Sequence, residues 1–568
     1  MTIKGNRPRA SRTMMVSTVA VLSSLVLAGC GGASGEKKGP AAGKEGSTKI
    51  DENPQPVEKL EKGGTLQLSV GGLGPDFNRF SANGNTVDLS TINGPMNNAS
   101  LWESEADGKP VPKKDYLLDA KSEVKGGKQV ITYTLNPKAT RNDGTPIDWK
   151  TLKNQAEVFS GKNKDYALVT TAGYEDIEKV ERGKDDRQAI VTMKKEFYPW
   201  EDLFTGLMHP AINTPDIFNK GFAKPRPEWM AGPFKLEKYD SSAKIISMVP
   251  NEKWWGNKPL LDKVIFRAME SQATIPAFKN GELDAVGIAT FSRYQQASGT
   301  PNSEERRGQR LSTIGMVFNA KADSPVKDLK VRKAIWQATD PAPLREVRFK
   351  GLNWDETRPG SWMSMPFSPY YEDNLPVKFS REDASKTLEE AGWKKGSDGI
   401  FAKDGKKLTV SLTTFGDDTT GAAQAQTYQK QLKEAGIDLK IDNKASSQFQ
   451  ETIAKRQYEI VFLSYTVGSD PTSVPKQYYH SKGENLSGTG TPEIDKMIDG
   501  AKPTDDAKER AKAANAAEKK AMEQYGMLPL FNGPTIGLYR KGLANFGPSL
   551  YKTRDWTKVG FEKGSTHK

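Results

Sequence analysis

Apolar residues alternate with polar ones at Leu66, Leu68 and Val70, and again at Ile131, Tyr133 and Leu135, the spacing of strands with one buried face. Between them the period changes. Asp143-Gly144 marks a turn, and Asp148 stands where it can cap a helix carrying Trp149, Leu152, Ala156 and Phe159 on one side. The longest readable pattern runs from 380 to 471. Ser380 and Asp383 form a capping pattern for a helix ending at Ala391-Gly392, and Leu408 to Thr414 alternates as a strand. A helical stretch ending at Leu432, Ala435 and Gly436 follows, then a strand over 437–441 and a helix containing Phe449 and Ile453. Tyr458 to Tyr465 is almost unbroken in apolar residues, as a strand covered on both faces is. This order, β-α-β-α-β, predicts a doubly wound α/β lobe, which places ligands outside the carboxyl ends of its strands. The segment leaving the last strand, Thr466 to Pro475 (TVGSDPTSVP), is therefore the first candidate for ligand contact. A later helix spans about 505–525 and ends before Leu528-Pro529-Leu530-Phe531-Asn532. No internal repeat or coiled-coil heptad is visible.

The head of the chain changes this picture. Lys4, Arg7, Arg9 and Arg12 precede an apolar run from Met14 to Leu27, which has the layout of a secretory signal and is too short and serine-interrupted for a permanent span. Leu27-Ala28-Gly29-Cys30 resembles the lipobox of bacterial lipoproteins, so residues 1–29 are expected to be removed and the Cys30 thiol to carry a lipid anchor. Residues 30–60, from the lipidated Cys30 onward, are rich in Gly, Pro, Lys and Glu and predict a flexible tether of roughly 30 Å. Cys30 is the only cysteine among 568 residues, so the mature chain has no disulfide and no cysteine nucleophile, and a large core must hold it together. Loss of the signal lowers the formal charge from +12 to +8, since it holds four cations and no anion. The remaining basic residues are interspersed with acidic ones and form no nucleic-acid motif, so no nucleic-acid partner is expected.

Several collinear segments resemble bacterial extracellular solute-binding proteins of family 5, the lipoprotein receptors of peptide-importing ABC transporters. They are GGTLQLSV, ITYTLNPKATRNDGTPIDWKTL, AGPFKLEKYD, NEKWWGNKPLLDKVIFRAMESQATIPAFKNGELDAVGI and VKDLKVRKAIWQATD, and the resemblance covers roughly 61–550. It implies a two-lobed α/β fold of the periplasmic-binding-protein type, type II, in its large class with an extra inserted subdomain, enclosing ligand between lobes. Lobe one would comprise 61–97, 198–314 and 533–568, with the inserted subdomain at 98–197, and lobe two 315–532. The partners implied are a peptide, the permease subunits of the importer and a membrane reached through the lipid anchor on the outer face of the cell, with a monomer expected. In peptide-binding members the loop after the last strand carries an aromatic, an aspartate for the peptide's amino group, and an acidic residue followed by proline. Here Tyr465 and Asp470-Pro471 match the ends, but the loop is one residue shorter and Gly468 lies nearest the amine-binding position. Asp470 is thus either the anion for a ligand amine or the capping residue of an Asp-Pro turn. Tyr465, Thr466, Val467 and Gly468 are further candidates for ligand contact, with Phe77 and Asn78 after the first strand, Trp362, and Asn532.

The same family carries sugars, chelated metals and haem, so a non-peptide solute is the alternative cargo. A secreted hydrolase is the competing class. The chain has three histidines, His209, His480 and His567, and neither a G-x-S-x-G elbow nor an H-E-x-x-H pair. No catalytic residue, metal site or cofactor is expected.

Overall fold

Two hydrophobic cores, rather than one, organise the computed structural model, which describes residues 50–565 apart from 98, 417, 446, 447 and 473. The signal segment, Cys30 and most of the expected tether lie outside the described residues.

The first core draws on residues between Leu66 and Phe266, with a return from Tyr539 to Phe561. Its strands are β1 (Thr65–Val70), β2 (Leu117–Lys125), β3 (Lys128–Leu135), β4 (Ile177–Arg182), β5 (Gln188–Met193), β6 (Phe234–Asp240), β7 (Ile245–Pro250) and β8 (Lys263–Ala268). They form two four-stranded sheets, β1-β8-β7-β6 and β2-β3-β5-β4, the second antiparallel throughout. The expected alternation is present, because Leu66, Leu68 and Val70 in β1, and Ile131, Tyr133 and Leu135 in β3, are all buried. Helix α1 (Trp149–Phe159) begins at Asp148, whose carboxylate accepts from the Lys150 and Thr151 amides while the Thr151 hydroxyl accepts from the Asp148 amide.

The second core gathers residues from Ile275 to Leu538. Its elements are β9 (Ser312–Phe318), α2 (Leu329–Ala338), β10 (Thr409–Phe415), α3 (Thr419–Glu434), β11 (Asp438–Lys444), α4 (Phe449–Ala454), β12 (Ile460–Thr466), α5 (Ala507–Met522) and β13 (Met527–Phe531). Strands order as β11-β10-β12-β9-β13, with β10 parallel to both β11 and β12. The β-α-β-α-β unit is therefore present. The two strands beyond it, β9 and β13, run antiparallel, so the sheet is mixed rather than parallel to its edge.

The cores meet through a three-stranded sheet of Ala285–Gly287, Pro534–Arg540 and Ser303–Gln309. Along its middle strand the two-residue period of a pleat divides side chains between the cores. Ile536 and Leu538 enter the second, and Tyr539 enters the first. Asp284 ties this junction to β1, accepting from the Gln67 amide at 2.7 Å and donating its own amide to the Gln67 carbonyl at 2.8 Å.

One expectation is corrected at the amino end. The chain is already packed from residue 50, before the expected start of order at 61. Asp51 accepts from the Arg307 amide at 2.8 Å, buried Glu52 pairs with Lys552 at 2.6 Å, and Asn53 donates to Glu562 at 2.7 Å. These partners lie about 250 to 510 residues away in sequence. A polar stretch held by such distant partners has no local signature. Among the described residues no helix is long and apolar enough to cross a membrane.

Candidate functional site

The carboxyl ends of β10, β11 and β12 share one edge of the second sheet, and the loop that leaves β12 there reaches the first core. Ser469 donates to the Gly108 carbonyl at 3.1 Å, and the Tyr551 hydroxyl donates to the Gly468 carbonyl at 3.0 Å. Gly108 turns the hairpin formed by Trp102–Ser104 and Pro110–Pro112 with φ +89°, and a Cβ there would lie 2.1 Å from that of Ser469. Only glycine allows so close an approach.

Within the loop, Asp470 is fully engaged by its own chain. One carboxylate oxygen accepts from the Thr472 amide at 2.8 Å and from the Thr472 hydroxyl. The other accepts from Arg510 Nη2 at 2.8 Å. Arg510, on the first turn of α5, is buried and donates further to the carbonyls of Thr504 and Asp505 at 2.9 and 3.0 Å and to Thr472 Oγ1 at 3.3 Å. Asp470 thus sits as the turn-capping reading of its sequence would place it, and it presents no free anion. Helix α5 is itself anchored by Glu518, a fully buried carboxylate that accepts from Ser361, Asn374, Tyr479 and the Trp362 amide. Burial pushes its pKa up.

The other sequence-derived candidates separate into two groups. Tyr465, Thr466 and Gly468 remain half-buried or exposed at the strand end, while Val467 is buried beneath them. Tyr465 packs edge-on against Trp362 with ring centroids 5.6 Å apart. Trp362 itself has no exposed surface and donates to the Met527 carbonyl at 2.8 Å, so it is a core residue, contrary to its expected place in the cleft. Phe77 is likewise buried, edge-on to Tyr239 at 5.4 Å. Asn78 donates to the Phe218 carbonyl and accepts from the Phe80 amide. Asn532 donates to the Ser312 carbonyl and Thr313 Oγ1, both at 3.0 Å. These polar residues were placed by proximity to strands in sequence, and in three dimensions their hydrogen-bonding groups are spent inside the cores.

Three hollows flank the loop's edge of the sheet or the seam between the cores. One, of about 370 Å³, lies at the carboxyl ends of β10 and β11, lined by Thr413 to Gly416, Asn443 and Arg348. Burial, and then the nearby Arg310 charge, draw the Arg348 guanidinium down to about 10, while Asp418 lines the same hollow with the opposite sign. The other two, of about 360 and 1090 Å³, adjoin each other between residues 172–202 of the first core and 476–499 of the second. Asp202 lines both. Its side chain is open to the space yet ringed by protein, and loss of solvation, followed by the negative charges of Asp470 and Glu201, raises its pKa to about 7. Nothing local in the PWEDLF sequence marks Asp202, and Arg510 and Arg348 read simply as charged positions on helices. Among the described residues no group of three His, Cys, Asp or Glu side chains could hold a metal ion. His209 is a packing residue, hydrogen-bonded to Asp143 at 3.0 Å and stacked on Trp229.

The family model described as "Bacterial extracellular solute-binding proteins, family 5 Middle" matches residues 116–485. The chain belongs to this family. Oligopeptide-binding protein OppA of Mycobacterium tuberculosis (strain ATCC 25618 / H37Rv) is 30% identical over 551 residues, covering 94% of this chain and 92% of OppA. Among solved structures, the periplasmic EDTA-binding protein EppA superposes with a TM-score of 0.80 at 21% identity, covering 92% of this chain and all (100%) of EppA. Bacillus subtilis AppA bound to a nonapeptide gives 0.73 at 22% identity, covering 89% of this chain and 100% of AppA. The two superpositions establish that this family-5 chain has the two-lobed α/β fold of the group.

Two outcomes are expected. In a cycle of Asp470→Ala, Arg510→Ala and the double variant, urea unfolding should show a coupling of about 1–3 kcal/mol, because removing either partner strands the other. Additive losses would mean that the pair does not fasten the loop. Asp202 titrates in the opposite sense to a salt-bridged carboxylate. The folded chain holds its proton more tightly than the unfolded chain, so stability is lost as pH rises from about 4 through about 7. Asp202→Asn should therefore melt higher than the native chain near about pH 8 and equally near about pH 4. A pH-independent difference in thermal midpoint would contradict that shift.

Proposed function

We propose that this family-5 solute-binding protein is the receptor subunit of an ABC importer for peptides, held at the outer face of the cell membrane by a lipid on Cys30. The observation that carries this reading is the similarity to OppA over nearly the whole of both chains. The proposed lobes are 61–97, 198–314 and 533–568 for the first, with 98–197 inserted and the stretch from residue 50 packed against it, and 315–532 for the second. Ligand lies between them, against Tyr465 to Gly468.

The physical logic fits the seam. A peptide presents backbone donors and acceptors at regular spacing, so a receptor can bind the main chain and leave side chains in roomy, wet pockets. Its two termini carry opposite charge, and the hollows between the lobes carry charged side chains of both signs, among them Asp202, Glu196, Arg79 and Lys502. Closing the lobes over such a ligand excludes bulk water and creates the form that a permease recognises.

The full chain, purified in detergent and then denatured, should release copurified peptides of mixed sequence and narrow length, identified by mass spectrometry. Release of a single non-peptide species would keep the receptor role and overturn the peptide assignment. Expressed in a bacterium that processes lipoproteins, the native chain should partition with membranes and into a detergent phase. Cys30→Ser should instead appear in the aqueous phase. Equal partitioning of the two would refute the lipid anchor.

A further inference from the structure

About half of the charged side chains around the hollows between the lobes are paired. Lys195 pairs with Asp176 at 3.2 Å, Lys476 with Glu175 at 3.8 Å, His480 with Asp499 at 3.2 Å, and Arg510 with Asp470 at 2.8 Å. Asp202 is one of those without an ion pair among the described residues, with Glu196 and Lys502 in the smaller hollow and Arg79 and Lys482 in the larger, and it alone of these lines both. Its carboxylate has no hydrogen-bond or ion-pair partner among the described residues, although it lines both hollows. Its position is fixed by the turn Trp200–Asp202, since Trp200 is buried edge-on against Trp102 with ring centroids 5.3 Å apart.

The walls of the smaller hollow are largely apolar. Phe197, Tyr198 and Pro199 face it from the first core, and Pro475, Ala514 and Ala517 from the second. An apolar wall beside an unpaired carboxylate suits one class of group, an aliphatic stem ending in a positive charge. The aromatic rings add to that preference, because a desolvated cation is attracted to a π face. Of the remaining ions that line this hollow, Glu196 would reinforce a bound cation and Lys502 would oppose it. Arg510, the nearest buried cation, is already committed to Asp470 and to two carbonyls.

We propose that the smaller interlobe hollow is a side-chain subsite for a lysine or arginine residue of the bound peptide, with Asp202 as its counter-ion. The inference rests on the peptide-receptor reading and narrows its ligand class to peptides bearing a cationic side chain. Asp202 holds the charged head while the apolar wall takes the methylene stem. The contact forms only when both lobes are in place, since each supplies one wall.

The test is competitive capture. The full chain in detergent is offered an equimolar mixture of synthetic peptides of graded length, each made in matched versions with lysine or norleucine, and with arginine or citrulline. Bound peptides are quantified by mass spectrometry. The native chain should enrich the cationic versions about tenfold over their neutral partners, Asp202→Asn should reduce that ratio to about one, and Asp202→Glu should retain part of it. Thermal melting of both variants checks that they fold. Capture of peptides without cationic enrichment by the native chain overturns this inference and leaves the peptide receptor standing. So does enrichment that survives in Asp202→Asn. Capture of no peptide by any form overturns the receptor reading and this inference together.

Discussion

The buried guanidinium of Arg510 is the constraint on which the ligand-facing architecture depends. It takes one oxygen of Asp470, the hydroxyl of Thr472 and two carbonyls at the start of α5, so the loop after β12 and the helix that follows it cannot move separately. Behind it, Glu518 ties the same helix to residues 361–374 and to Tyr479 through four hydrogen bonds. Both ions are nearly or fully removed from water, and such groups persist only where every donor or lone pair is met. The loop is thereby held where its tip can touch Gly108 and Tyr551 of the other core.

Three hollows of unlike character lie around the loop and the seam. The strand-end hollow carries Arg348 together with Asp418. The interlobe hollows carry Asp202, whose pKa desolvation and neighbouring negative charge raise to about 7. At the junction of the cores, Pro534–Arg540 sends alternate side chains into each of them.

Much of the fold was legible in the chain because it rests on local regularities. The period-2 spacing of β1 and β3, the Asp148 cap of α1 and the β-α-β-α-β run from 380 to 466 each express a preference between near neighbours. The same regularities misplaced Trp362, Phe77, Asn78 and Asn532, since proximity to a strand end says nothing about which way a side chain turns or which distant carbonyl it meets. They also missed residues 50–60, whose partners are hundreds of positions away.

The sequence by itself determined the two kinds of periodic pattern, the family, and the loop that ends β12. Only the tertiary structure decided what Asp470 does, because its acidity is equally suited to a ligand amine or to Arg510, forty residues further on. It likewise decided that Asp202 stands unpaired in a hollow walled by both cores. A carboxylate's role depends on the charges and the water within a few ångströms of it, and that neighbourhood is assembled from segments the chain keeps far apart.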